Sequence, residues 1–231
     1  MLEFLNFLRG EHLDVLSVTL RLVAAMICGG CIGLERERKR RPAGFRTHIL
    51  ICLGAAMTTL PSQFLVLELH LFTDMARLGA QVIAGIGFIG AGSIIITKRR
   101  QVKGLTTAAG LWAAAIVGLC CGAGFIEGAV LATIIILIAE LVFAKLEYFI
   151  VSNARVINLY VEYSESSQLG TIVDTIKQKS VYIVDMEITK SSDNNRNPCV
   201  IFSLQKPRKI PHQSLMALIA KLDGVVSVEE L

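Results

Sequence analysis

Residues 74–124 read DMARLGAQVIAGIGFIGAGSIIITKRRQVKGLTTAAGLWAAAIVGLCCGAG, and the fold turns on how this stretch is read. It holds two apolar segments, one from about Ala76 to Thr97 and one from Leu105 to Cys121. Each is long enough to cross a hydrocarbon core of roughly 30 Å. Only a short segment carrying Lys98, Arg99, Arg100 and Lys103 separates them. That pattern predicts two membrane helices joined by a basic loop.

Working outward, the same reading predicts helices at about Leu13 to Leu34, Ile49 to Leu67 and Phe125 to Phe149, giving five transmembrane helices in a domain over 1–150. The 231-residue chain is 53% hydrophobic with a mean hydropathy of +0.60, and nearly all of that excess precedes residue 150. Such a portion is too apolar for an ordinary soluble domain. Arg36, Arg38, Lys39, Arg40, Arg41 and Arg46 lie between the first two helices, whereas Glu68 to Met75 and Gly122 to Gly124 hold no Lys or Arg. The positive-inside bias then places both basic loops and the C-terminal part in the cytoplasm of a bacterial inner membrane, with the N-terminus outside. The net charge of +4 is thus a topology signal, and no nucleic-acid partner is expected. Met1 to Asp14 carries Glu3, Glu11 and Asp14 against Arg9, and no A-x-A site follows, so the first span is expected to be retained. Pro61 is expected to kink helix 2 or stop it near Leu60.

After Ser152 the pattern changes to β-branched runs at Val156 to Tyr163, Tyr182 to Thr189, Cys199 to Gln205 and Val225 to Val228. Helical segments at Ser167 to Lys179 and His212 to Leu222 separate them, and Ser191 to Asn197 reads as a hairpin turn. The predicted order is βαββαβ, a ferredoxin-like sandwich in a cytoplasmic domain over 155–231 that folds alone and pairs with a second copy through its sheet.

Gly85-Ile-Gly87-Phe-Ile-Gly90-Ala-Gly92 matches a G-x-G-x-x-G fingerprint in letters. It lies inside a membrane segment with no preceding strand and with Gly110 where an acid is needed. These glycines, with Gly118 and Gly122, read instead as small residues for close helix packing. Five of the six cysteines, Cys28-x-x-Cys31 included, fall in apolar runs and behave as small hydrophobes. The four histidines are scattered and no nucleophile–base arrangement appears, so neither an enzyme, a metal site nor a cofactor is expected.

Charges within spans carry more information, because lipid tolerates them only where they meet protein or water. Asp74, Arg77 and Gln81 are spaced i, i+3, i+7 on one stripe, and Asp14, Ser17, Arg21, Cys28 and Glu35 fall on one face of helix 1. Two readings follow: a polar cavity or ligand site between helices 1 and 3, or ion pairs that hold the bundle together. Glu127 and Glu140 are expected to reach the two membrane interfaces.

The segments GGCIGLERERKRRPAGFRTHILICLGAA (29–56), DMARLGAQVIAGIGFIGAGSII (74–95) and VKGLTTAAGLWAAAIVGLCCGAG (102–124) resemble the signature blocks of the MgtC/SapB family of bacterial membrane proteins. The positions matching family-typical residues are Arg21, Glu35, Arg36, Gly44, Arg46, Thr47, Asp74, Arg77, Gln81, Thr106, Thr107 and Trp112. Family blocks commonly read D-P-x-R where this chain has Asp74-Met75-Ala76-Arg77. The resemblance implies five spans, an ACT-like C-terminal domain, a role in growth at low magnesium and, in pathogens, survival inside macrophages. It also implies links to membrane potential and to the F-type ATP synthase as a partner. Bottom-up, the residues leave two activities open: a regulator of another membrane complex, or a transporter of magnesium or another small solute.

Overall fold

The computed structural model describes residues 13–97, 101–152, 156–165, 168–179, 181–189, 197–207 and 212–230. The chain divides into two compact units, Met1–Ala144 and Lys145–Leu231. Arg9, Lys98, Arg99, Arg100 and all of the expected hairpin turn except Asn197 lie outside the described residues.

The first unit contains α1 (Val15–Arg38), α2 (Phe45–Leu67), α3 (Arg77–Ser93), a two-residue hairpin of β1 (Ile95–Ile96) and β2 (Val102–Lys103), α4 (Leu105–Gly122) and α5 (Ile126–Ile138). A π turn at Ala139–Phe143 follows α5 directly and leads into α6 (Ala144–Ser152). Four helices are long and apolar enough to cross a membrane: Val15–Arg38, Phe45–Leu67, Leu105–Gly122 and Ile126–Leu146. The fifth expected span, α3, has 17 residues. It ends four residues before the expected Thr97 because Ile94, Ile95 and Ile96 are β-branched and enter the hairpin.

Helix α4 is the centre of this unit, packing on α1, α2, α3 and α5. The cause is local. A Cβ at Gly118 or Gly122 would overlap the Cys52 or Ala56 carbonyl of α2, so only glycine lets the two backbones meet. Cys52 Sγ donates to the Ala114 carbonyl across the same seam at 3.0 Å. The surrounding core is made of small residues, among them Ala25, Cys28, Cys52, Ala56, Ala114, Cys121 and Ala129. Close van der Waals approach is what holds helices together where lipid tails are as apolar as the interface. Cys28 turns into this core while Cys31 is exposed, and both are free thiols.

Helix α2 runs through Pro61 to Leu67 without stopping. The Thr58 and Thr59 hydroxyls both donate to the Ala55 carbonyl, at 2.6 and 3.4 Å, in the turn before Pro61. At the other side of the unit, Gly104 adopts φ +99°, where a side chain would be strained and a Cβ would strike the Ser93 carbonyl. The hairpin therefore reverses tightly into α4.

The second unit has β3 (Val156–Tyr163), α7 (Gln168–Gln178), β4 (Tyr182–Thr189), β5 (Cys199–Gln205), α8 (His212–Ile219) and β6 (Val225–Glu230). The four strands form one antiparallel sheet in the order β4-β5-β3-β6. Alternation decides the faces: Ile157, Leu159, Val161 and Tyr163 of β3 and Val200, Phe202 and Leu204 of β5 are buried against Ile172 and Ile176 of α7 and Leu215 and Ile219 of α8. Burial pushes the Tyr163 phenol above its ordinary pKa.

Two outcomes follow from this packing. Gly118→Ala and Gly122→Ala are each expected to destabilise the bundle by about 1–3 kcal/mol through overpacking. Gly54→Ala, where a Cβ meets nothing within 4 Å, is expected to leave it unchanged, and thermal unfolding in detergent separates the cases. A fragment of residues 155–231 is expected to fold alone, and to lose about 3–5 kcal/mol on Phe202→Ala, both read by circular dichroism.

Candidate functional site

Burying charge in an apolar bundle is costly, so each buried charge is informative. Helix α1 buries two arginines, Arg21 and Arg36, each only 1% exposed. They lie about 22 Å apart along the helix and each anchors a polar cluster.

At the Arg21 end, Nη1 donates to Gln63 Oε1 at 2.6 Å and to the Gly122 carbonyl at 3.1 Å. Gln63 Nε2 in turn donates to the Ala123 carbonyl at 3.3 Å. Gln63 and Thr59 are polar groups on the wall of a cleft of about 480 Å³ between α2, α3 and the end of α4, whose other walls include Met75, Gly79, Ile83 and Leu119. Ser17, buried one turn before Arg21, has no hydrogen-bond partner for its hydroxyl among the described residues.

At the Arg36 end the network is denser. Arg36 Nη1 meets Glu140 Oε2 at 2.6 Å, and Nη2 reaches Thr107 Oγ1 of α4 at 3.3 Å. Glu140 belongs to the π turn, and Lys39 Nζ donates to its backbone carbonyl at 2.6 Å. A π turn breaks the regular i→i−4 ladder, and here a lysine serves the carbonyl exposed to it. Lys39 Nζ also stands 2.5 Å from Glu35 Oε1 as an ion pair, though without hydrogen-bond alignment, and the Glu35 carboxylate is left without a hydrogen bond. The Glu37 carboxylate accepts from the Phe45 amide at 3.2 Å, capping α2, and a Cβ on Gly44 would collide with it. His48, fully buried, has Nδ1 2.9 Å from the Gly44 carbonyl.

The structure distributes the sequence-derived residues unevenly. Glu35, Arg36, Gly44 and Thr107 meet in this second cluster, while Arg46 and Thr106 are exposed and Thr47 is half-buried. Asp74, Arg77 and Gln81 are exposed on α3, which packs on α4 and α2, whereas α1 packs on α2, α4 and α5. The two polar stripes are not brought together. Asp74 and Arg77 form no ion pair among the described residues. The Asp74 carboxylate instead accepts from the Ala76 amide at 2.9 Å, ahead of the helix start. Gly118 and Gly122 are packed against α2 and Gly90 against Ala108, but Gly85, Gly87 and Gly92 have nothing within 4 Å of a built Cβ.

Glu140, expected to reach a membrane interface, has a partner that was not expected: its side chain is 17% exposed and paired with Arg36. Opposite charges at one depth of two spans are a readable signal for that pair. Gln63, uncharged, has no such signal, and His48 is visible in sequence only as one histidine among four. Among the described residues no three His, Cys, Asp or Glu side chains gather as metal ligands.

The profile of the MgtC family matches residues 22–149, which contain the whole Arg36 cluster and the Gln63 and Gly122 partners of Arg21. The chain belongs to the MgtC family. An uncharacterized protein of Haemophilus influenzae is 33% identical over 227 residues, 95% of this chain and 93% of that one. A protein of Escherichia coli named putative magnesium transporter YhiD is 30% identical over 213 residues, 90% and 96% of the two chains. Protein MgtC of Salmonella typhimurium is 41% identical over 131 residues, 57% and 54% of the two chains. No solved structure matches.

Breaking the Arg36–Glu140 pair leaves a buried guanidinium without its carboxylate. Glu140→Ala is expected to cost about 3–5 kcal/mol, and the double replacement Arg36→Met with Glu140→Leu to recover most of it. Asp74→Ala removes only an exposed cap and is expected to cost about 1 kcal/mol. Detergent melting curves beside membrane abundance by immunoblot check the order.

Proposed function

We propose that this chain is a non-enzymatic regulator of another inner-membrane complex, acting through the outer face of α3. The observation that carries the reading is that face: Gly85 and Gly92 are open, and Phe88, 86% exposed, lies between them at i+3 and i−4. Small residues beside a projecting aromatic suit close docking of a foreign helix. The names of the Salmonella typhimurium and Escherichia coli relatives support a magnesium-linked role, which here means supporting growth at low magnesium and, in a pathogen, survival in macrophages. The partner we favour is the F-type ATP synthase or another determinant of membrane potential. In this reading α3 is a fifth span, the N-terminus lies outside, and the second unit is a cytoplasmic ferredoxin-like, ACT-like domain available for homodimer formation.

A transporter of magnesium or another small solute is the second reading, favoured by the cleft whose Gln63 wall is backed by Arg21. A guanidinium behind the wall repels Mg²⁺ and suits an anion or a neutral solute better.

Two experiments divide the readings. A photo-crosslinker at Phe88 at native expression is expected to capture one stoichiometric membrane partner, whereas the same probe at Leu50, exposed on α2, is expected to capture only lipid. Purified protein in liposomes is expected to pass no magnesium, phosphate or protons under a gradient. Flux lost on Gln63→Ala, with no crosslinked partner, would replace the regulator by the transporter.

A further inference from the structure

His48 stands beside the Arg36–Glu140 pair with one ring nitrogen bonded and the other bare. Because a carbonyl can only accept, the 2.9 Å contact to Gly44 puts the proton on Nδ1. Nε2 therefore presents a lone pair, wholly buried and without a hydrogen-bond partner among the described residues. The Arg36 Nε, more than nine-tenths buried, lacks a hydrogen-bond partner in the same way, and the buried Glu35 carboxylate meets only Lys39 Nζ, 2.5 Å from Oε1.

The space in front of Nε2 is also unusual. Gly110 of α4 faces it, and a Cβ there would stand 3.9 Å away, an ordinary contact, so glycine leaves a methyl-sized gap against the bare nitrogen. The charged groups acting on His48 are Glu35 and Arg36 of α1 and Glu140 of the π turn. Helix α4 offers the uncharged Thr107 and Gly110. With Lys39 and Glu37 included, two cations face three carboxylates, and the cluster carries a charge of −1 while His48 is neutral.

We propose that His48 Nε2 is a proton-binding site whose occupancy sets how firmly the π turn is tied to α1. A hydronium ion arriving past the partly exposed Lys39 and Glu140 gives its proton to the lone pair and leaves as water. The cluster passes from −1 to neutral, and the imidazolium competes with Arg36 for the Glu140 carboxylate. The grip of α1 on the π turn weakens. An ordinary core histidine, satisfied through Nδ1 alone, stays neutral throughout.

The test uses the full chain in detergent micelles with ¹⁵N-labelled histidine, His48 being assigned by loss of its signals in His48→Gln. Should that variant fail to accumulate, Gln at His12, His70 and His212 leaves His48 as the only histidine and gives the same readout. The ring nitrogens are expected to pass from the neutral Nδ1–H form to imidazolium as the pH is lowered while the protein stays folded. Glu35→Gln and Glu140→Gln are each expected to lower the midpoint by about one pH unit or more. Gly110→Ala, which fits sterically, is expected to lower it too. Amide exchange over Ala139–Phe143 is expected to rise as the wild type takes up the proton. A His48 that stays neutral at every pH at which the protein remains folded, a titration indifferent to both carboxylate variants, or exchange that does not follow the titration overturns the proposal.

Discussion

The approach of α4 to α2 is the constraint on which the rest of the first unit depends. Gly118 and Gly122 present no Cβ to the Cys52 and Ala56 carbonyls, and a helix admitted that close becomes a shared wall for α1, α3 and α5. Within lipid there is little hydrophobic gain from pairing two apolar helices, so the energy must come from many short contacts and a few polar ones. The small core residues supply the first. The Cys52 Sγ bond to the Ala114 carbonyl is one of the second.

That economy makes the two arginine clusters stand out. A buried guanidinium is justified thermodynamically only when each of its donors meets an acceptor, and a pair replaced by apolar groups is often no less stable. Arg21 is held by a side-chain amide and by a carbonyl at the end of α4, groups that a helix terminus offers at no extra cost. Arg36 is different. Its partner Glu140 sits on a π turn, its neighbour Glu35 lacks a hydrogen bond, and His48 keeps a bare nitrogen. A cluster that is only partly satisfied is a poor choice for stability alone and is more consistent with a site that changes state.

Much of this was legible in the sequence. Membrane-length apolar runs and basic connections located the helices within about a turn, because charge and chain length alone set those limits. The alternation in Val156 to Tyr163 and Cys199 to Gln205 foretold which side of each strand is buried. The expected meeting of Arg21 and Glu35 with Asp74, Arg77 and Gln81 did not occur, because helical spacing says which residues share a face and not which helix that face meets. The neighbour of α1 was decided by its own Gly29 and Gly33, where a Cβ would strike the His48 and Phe45 backbone of α2. Helix 1 also runs on to Arg38 beyond its expected end, since Lys39 and Arg36 find partners on the π turn instead of needing water.

Helix α3 buries little of its own surface, and its position follows from the same balance. At 17 residues it reaches about 26 Å, short of a hydrocarbon core of roughly 30 Å, and the hairpin with exposed Ile95, Ile96 and Val102 continues its apolar surface. Only Ile86 and Gly90 along it are buried, so one side is held by α4 and the rest meets lipid or protein. Exchanging lipid for another helix on such a face sacrifices few contacts, while the open glycines let the newcomer approach closely. The bundle thus combines a rigid interior, fixed by α2 and α4, with one helix whose outer surface is free to be shared.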